Sequence, residues 1–230
     1  MSAHGTTGIR IEKDCGEATV IKRGDIGYVA LHTPRPCDDL VEEWERALSD
    51  CREIEVAVER YSDEFHRYLG GKGYDLFRAS ILVEKDVGDE EMPPGVIPYS
   101  DRFASEVSEI HKDAFGVALS ESGINEFLHS VENGRMLVKI EDGEVVGYVF
   151  FFIKNDGAYI TSVAVREDMR GRGLGRELIK GVEAVARTLH CTRCYGIIEC
   201  AEFEKPLRFI LSCGFRVVKM ICGYRKVLRG

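Results

Sequence analysis

Two things are missing from this 230-residue chain: a long apolar run and an excess of basic charge. The longest apolar run, Val145 to Ile153, spans nine residues and includes a glycine, whereas a membrane helix needs about 20. A membrane-spanning protein is therefore not expected. Lys and Arg number 31 against 39 Asp and Glu, a formal charge of −8, which disfavours a protein that coats nucleic acid. Met1 to Lys13 holds no apolar stretch of the kind a secretory signal requires, so a cytoplasmic location is the expectation. Proline is scarce at six residues, and three of these fall between Val87 and Pro98. With 44% apolar and 30% charged residues the chain has the means to build a packed core.

Eight cysteines are present without an evident secretory signal, so a disulfide framework is not required. One Cys-x-x-Cys occurs, Cys191-Thr-Arg-Cys194, preceded by His190. A structural zinc site needs about four ligands at compatible spacing. Cys200, Cys213 and Cys222 follow but form no second such pair. No metal is expected, and the thiols read chiefly as small buried filler.

The sharpest change of composition is the acidic, proline-rich stretch Val87 to Pro98, which disfavours helix and interior strand. It reads as a linker and divides the chain into residues 1–96 and 97–230. The first part carries 21 acidic and 12 basic residues, a charge of −9; the second carries 18 and 19, a charge of +1.

The second part has a legible order. Phe103, Val107, Ile110, Ala114 and Phe115 recur at helical spacing, and Ile124, Phe127, Leu128 and Val131 continue with a second helix. Strands follow, Met136 to Ile140 and Val145 to Phe150, joined across Asp142-Gly143, where both turn positions favour positive φ. A second turn at Asn155-Asp156-Gly157 leads into Ala158 to Val165, giving a three-stranded antiparallel meander. Leu174, Leu178, Ile179, Val182, Val185, Ala186 and Leu189 form the apolar face of a helix, and Tyr195 to Cys200 reads as a buried strand. Strand, helix, strand implies a crossover and a parallel pair. A short helix from Pro206 to Leu211, a cap at Gly214 and a hairpin from Phe215 to Leu228 around Cys222-Gly223 complete the pattern.

Between the third strand of the meander and the long helix lies Arg170-Gly171-Arg172-Gly173-Leu174-Gly175-Arg176. Glycines let backbone N–H groups approach a ligand closely, and N–H groups converging at a helix start form an anion site. Three arginines add positive charge, so phosphate or diphosphate is the expected guest. The loop lacks the Gly-Lys-Ser/Thr ending of a P-loop, and counting from Gly171 the sixth position is Arg176, where a dinucleotide fingerprint requires glycine. A tight turn with a solvated basic rim is the alternative.

The segment from Ser162 to Ile179 resembles motif A of the GNAT superfamily of N-acyltransferases. Its Arg/Gln-x-x-Gly-x-Gly/Ala pattern is met by Arg170, Gly173 and Gly175, and Val163-Ala164-Val165 looks like the preceding strand end. Leu207 to Phe215, ending in Gly-Phe, is similar to the family's second motif. The resemblance covers about residues 97–228. It implies an α/β (α+β) fold with a mixed, mainly antiparallel sheet and a parallel crossover pair, here with an N-terminal α/β half-domain in addition. It also implies acetyl-CoA as cosubstrate, with its diphosphate on residues 170–176 and its pantetheine arm along Val163, Ala164 and Val165. Backbone N–H groups there would polarise the thioester carbonyl. A bulge would part this strand from the Tyr195–Cys200 strand and open a slot for the arm. A primary amine then attacks directly.

A lysine-like amine has a pKa of ~10.4, so neutralising it at pH 7 costs about 4.6 kcal/mol and calls for a proton acceptor. Glu199, near the end of the strand lining the slot, is the candidate base; a surface carboxylate or half of an ion pair is the alternative. Tyr159, Thr161 and Ser162 are candidates to line the slot or hold a water. The chain departs from the family where many members carry a tyrosine that protonates the leaving thiolate: it has Ile210 there, and Phe203 where an asparagine is frequent. Tyr224 or Cys200 are the candidate substitutes. These departures motivate a second reading, a catalytically weak CoA-binding regulatory module; a non-enzymatic interaction protein is a third.

Residues 1–96 read strand (Ala18–Ile21), strand (Ile26–Leu31), helix (Asp39–Asp50), strand (Ile54–Val58), helix (Asp63–Leu69), strand (Phe77–Val83). This order parallels the second half of the C-terminal part but has no Arg-x-x-Gly-x-Gly loop. It reads as a degenerate GNAT half without a CoA site, in a layout that also looks like that of β-lysine acetyltransferases; chance α/β patterning is the alternative. Its acidity suggests a positively charged acceptor: a polyamine, a lysine-like amino acid, or a protein lysine or N-terminus. A sheet edge at Met220 to Leu228 makes a homodimer a further expectation.

Overall fold

The computed structural model describes residues 8–33, 37–59, 62–130, 133–199 and 204–228. In chain order the elements are β1 (Ile9–Lys13), β2 (Gly16–Arg23), β3 (Ile26–Leu31), α1 (Asp38–Ala47), β4 (Glu53–Val58), α2 (Asp63–Gly71), β5 (Asp75–Asp86) and β6 (Val96–Pro98). There follow α3 (Ala104–Phe115), α4 (Glu121–Ser130), β7 (Gly134–Glu141), β8 (Glu144–Lys154), β9 (Gly157–Val165), α5 (Leu174–Thr188), β10 (Arg193–Glu199), α6 (Glu204–Ser212) and β11 (Arg216–Val227). Val131, Cys200 and Phe203, and the side chain of Phe127, lie outside the described residues.

The chain divides into two compact units. Unit 1 comprises Met1–Leu82, Ile198–Lys205 and Val218–Gly230; unit 2 comprises Val83–Ile197 and Pro206–Val217. The division by contacts thus falls at Leu82/Val83, earlier than the 96/97 boundary read from composition. The proline-rich segment is fastened inside unit 2. The Val87 N–H donates to Thr192 O at 3.0 Å, the Ile140 N–H donates to Gly95 O at 2.8 Å, and Lys180 donates to Glu90 at 2.9 Å. Pro98 ends β6, which pairs antiparallel with β7, a strand-end position that tolerates the missing N–H.

Unit 1 holds the strand order β1-β2-β3-β4-β11. β3 and β4 are parallel and paired over the whole of Ile26–Leu31 against Glu53–Val58, with α1 as the crossover. Alternate strand residues (Val29, Leu31, Ile54, Val56, Val58) face Leu40, Val41 and Trp44 of α1 and Phe65 and Leu69 of α2 in one buried core. Ser62 caps α2, its hydroxyl oxygen accepting from the Phe65 N–H at 3.1 Å. The Trp44 indole N–H donates to the Tyr74 hydroxyl at 2.9 Å inside that core.

Two sequence expectations change here. The hairpin read at 215–228 is a single strand, β11, whose Cys222–Val227 pair antiparallel with Glu53–Val58; it lies between β4 and β5 and is not the sheet edge expected to support a homodimer. Gly223 is needed for a close approach: a Cβ there would stand 3.1 Å from the Phe77 ring. Cysteine also does more than fill space, because Cys15 and Cys37 form a disulfide across 22 residues. Cys51, Cys191, Cys194 and Cys213 are free thiols, and these and Cys222 are buried, as expected of filler.

In unit 2 the order is β10-β9-β8-β7-β6. The antiparallel meander β7-β8-β9 and the parallel β9–β10 pair follow the sequence reading. Asp142 and Gly143 both take positive φ (51° and 86°), as a two-residue hairpin turn demands. Period two sorts the meander's side chains. Met136, Val138, Tyr148 and Phe150 pack against Phe103, Val107, Ile110 and Ile124 of the α3–α4 side. Leu137 and Gly147 face α5, where Gly181 and Leu178 meet them.

Candidate functional site

Among the described residues β9 and β10 pair over Gly157–Ile160 against Arg193–Gly196 and no further. The separation starts at a bulge. Opposite β8, Phe150 pairs with Ser162 and Phe151 with Ile160, so Thr161 is an extra residue. Its side-chain hydroxyl donates to Phe150 O at 3.3 Å across the interrupted ladder. Beyond the bulge Ser162, Val163, Ala164 and Val165 remain paired to β8 on one edge, while the described pairing with β10 has ended. An unpaired strand edge of this kind is a template for an extended partner with amide groups. Thr161 is exposed, and Ser162, Val163 and Val165 are partly so.

The glycine loop begins where β9 ends. Met169 and Leu174 are buried together with Val146, with Val165 packed beside them, so the loop is anchored on both sides while residues 170–173 are exposed. Gly171 and Gly173 have φ of 80° and 86°, and a Cβ at either would meet nothing within 4 Å. Glycine is needed for the backbone conformation, and the space beside it is open. The first helical bonds of α5 run from the Arg176 and Glu177 N–H groups to Gly173 O, at 2.9 and 3.1 Å. The preceding amides belong to the set that a helix start leaves without intrahelical acceptors. The Arg170 Nε donates to Val165 O at 3.0 Å, tying loop to strand end, and Arg176 donates to the Ser212 hydroxyl at 3.5 Å. Arg170, Arg172 and Arg176 are exposed. Open amides, a helix start and three cations suit a diphosphate.

A polar chain leads from the same strand into the α3–α4 side. Ser162 and Ala164 share the face of Phe150 and Tyr148 by register. The Tyr148 hydroxyl, wholly buried, hydrogen-bonds Nδ1 of His111 on α3, and Ser162 lies on the same sheet face beside it. Burial raises the Tyr148 hydroxyl well above the ordinary phenol range and lowers His111, so the imidazole is neutral at pH 7. The sequence reading singled out Ser162 but missed Tyr148 and His111. Period two places Tyr148 with Phe150 on the helix-facing side, but nothing in the sequence pairs it with a histidine 37 positions earlier.

The other candidate residues have different surroundings. Glu199 is exposed at the last position of β10, three residues beyond Gly196, and belongs to the chain segment assigned to unit 1. Tyr224 is 1% exposed in the unit 1 core, beside the Phe65 and His66 rings. Ile210 is buried on α6. Tyr159 lies in an aromatic row, stacked on Phe152 and Tyr195 at centroid distances of 5.0 and 4.8 Å. Among the described residues no group of three or more His, Cys, Asp or Glu is placed to hold a metal ion. Burial raises the Cys194 thiol to about 12, so it is not a thiolate at neutral pH. Among the described residues no helix is long and apolar enough to cross a membrane.

Comparison with known proteins bears on the family and the fold. The family model described as Acetyltransferase (GNAT) family matches residues 104–215. A protein of Methanocaldococcus jannaschii, described as an uncharacterized N-acetyltransferase, is 33% identical over 128 residues, which make up 55% of this chain and 80% of that protein. A GCN5-related N-acetyltransferase from Sphaerobacter thermophilus superposes with a TM-score of 0.65 at 20% identity, covering 94% of this chain and 78% of that one. A tandem GNAT protein from the clavulanic acid biosynthesis pathway superposes with a TM-score of 0.61 at 16% identity, covering 94% and 80%. At these identities the likeness to the solved structures is one of fold.

Proposed function

Because the chain belongs to the GNAT family of acetyltransferases, we propose that it moves an acetyl group from acetyl-CoA to a primary amine by direct attack. The observation that carries this reading is the end of β9–β10 pairing at Ile160 and Gly196, next to a glycine loop with open space around it. In this reading the amides of residues 171–175 and Arg170, Arg172 and Arg176 hold the diphosphate. The open edge of Val163, Ala164 and Val165 takes the pantetheine arm as a partial strand. An N–H of that edge polarises the thioester carbonyl, where negative charge develops during attack.

The ammonium form of the acceptor has to lose a proton before it can attack, and Glu199 is the proposed acceptor of that proton. Its exposure and its place at the end of β10 support the assignment. The leaving thiolate needs no dedicated acid, since a thiol of pKa about 8.5 departs readily at neutral pH and is protonated by water. Ile210, where the family often has tyrosine, is compatible with that route. The acidity of residues 1–96 supports a cationic acceptor. Unit 1 repeats the strand–helix–strand–helix–strand order of β9 to β11 in β3 to β5, but β3 and β4 stay paired along their length. This supports a degenerate half without a carrier slot of its own.

The test is a thiol-release assay with acetyl-CoA against a panel of alkylamines, polyamines, lysine-like amino acids and peptide N-termini, with calorimetry of acetyl-CoA on the same protein. Binding together with amine-dependent release of CoA is expected. Binding without release from any amine would favour a CoA-binding module, and no binding would overturn the reading.

A further inference from the structure

We propose that the proton shed by the attacking amine leaves through a relay of Ser162, Tyr148 and His111, built across β9, β8 and α3. The inference rests on the acetyl-transfer reading and names a second proton path within it. Acylation of an ammonium releases two protons: one before attack, assigned above to Glu199, and one from the nitrogen after it has bonded to the carbonyl carbon. The second has to be removed where the tetrahedral centre forms.

Three observations converge on that place. Ser162 is the first residue after the bulge, next to Val163, whose edge is proposed to hold the thioester. Its side chain is on the face of Tyr148 and Phe150, and it is partly exposed. Tyr148 is wholly buried, its hydroxyl bonds Nδ1 of His111, and Ser162 stands on the same face of the sheet. Donating to His111 leaves the phenol oxygen free to accept from a hydroxyl on that face. Apolar side chains pack beside the pair. The His111 ring stacks on Tyr148 and lies 4.7 Å from the Phe115 ring, and Val107 and Ile110 of α3 are buried in the same core.

The donor order follows from protonation. Neutral His111, protonated on Nε2, accepts at Nδ1 from the Tyr148 hydroxyl, whose oxygen is then free to accept from Ser162. The Ser162 oxygen retains an acceptor lone pair for the amine. On attack the nitrogen lone pair forms the N–C bond and the carbonyl π electrons move to oxygen. One N–H proton passes to the Ser162 oxygen as its own proton passes to Tyr148 and the Tyr148 proton to Nδ1. The carbonyl reforms, the C–S bond breaks with its electron pair on sulfur, and the imidazolium releases a proton from Nε2 to solvent. His111 is only half-buried, which leaves it an exit. Ser162 is the catalytic residue, and Tyr148 and His111 act through it as positioning residues.

The test uses the full chain with the best amine of the panel. Ser162→Ala, Tyr148→Phe and His111→Phe are each expected to lower kcat by about 10²-fold. KM for the amine and acetyl-CoA affinity should change by less than about twofold, and Ser162→Thr, which keeps the hydroxyl, should retain most of the rate. The Ser162→Ala/His111→Phe double variant should be little worse than either single one, since members of one relay act as a unit. Normal kcat in all three single variants, or losses that simply multiply in the double variant, would overturn the relay while leaving the transferase reading intact. Where Tyr148→Phe fails to fold, Ser162→Ala and Ser162→Thr carry the test. A wild-type protein that acetylates no amine would overturn the reading, and the relay with it.

Discussion

Ile160 and Gly196 are the last residues at which β9 and β10 face each other, and Thr161, the next residue along β9, is the extra residue of a bulge. One additional residue on one strand thus ends a parallel pairing and leaves the edge of residues 162–165 open beside the glycine loop. The proposed site lies at a local irregularity of β9.

Gly173→Glu places a carboxylate and a Cβ at a φ of 86°, in the space proposed for the diphosphate. The left-handed conformation costs about 1–2 kcal/mol in a non-glycine residue, which an exposed loop can absorb. Calorimetry should find acetyl-CoA binding lost, with the circular dichroism spectrum unchanged. Unaltered affinity would remove the loop from the site.

Glu199→Gln should lower kcat for a cationic amine by about 10²-fold, in the range for loss of a proton acceptor. Acetyl-CoA affinity should stay the same, because the carboxylate is proposed to meet the acceptor and not the carrier. Steady-state kinetics with parallel calorimetry decide it, and an unaltered rate would exclude Glu199 as the base.

Tyr224→Phe distinguishes a core tyrosine from an acid for the thiolate. At 1% exposure beside Phe65 and His66, its removal should leave kcat/KM within about twofold and change stability by about 1–2 kcal/mol. A fall in kcat with stability preserved would give Tyr224 a chemical role.

Reducing the Cys15–Cys37 disulfide frees a segment of 22 residues. On the chain-entropy argument this costs about 3 kcal/mol of unit 1 stability. Trp44, the single tryptophan, lies in that core. Its fluorescence during denaturation should report a lower midpoint in dithiothreitol, and Cys15→Ser should show the same midpoint with and without reductant. An unshifted wild-type midpoint would contradict a stabilising disulfide.

Much of unit 2 was legible in the sequence because its signals are local. Asp142-Gly143 fixes a hairpin turn, the apolar spacing from Leu174 to Ala186 fixes a helix face, and the Arg170–Arg176 loop fixes the start of that helix. What escaped depends on partners far along the chain. β11 was read as a hairpin because glycine usually marks a turn, whereas Gly223 makes room for the Phe77 ring about 146 residues earlier. β6 escaped because prolines masked a three-residue edge strand. The Tyr148–His111 contact joins a strand to a helix across a core that only the folded sheet brings together. The bulge at Thr161 came from the family resemblance; no residue type at that position marks it.

The most direct test of the account is a crystal structure of the protein with acetyl-CoA. The account predicts the diphosphate on the backbone N–H groups between residues 171 and 175, with the pantetheine chain lying as a partial strand along residues 162–165. Carrier density elsewhere on the protein, or the edge of residues 162–165 that faces away from β8 paired to protein in its presence, would contradict it.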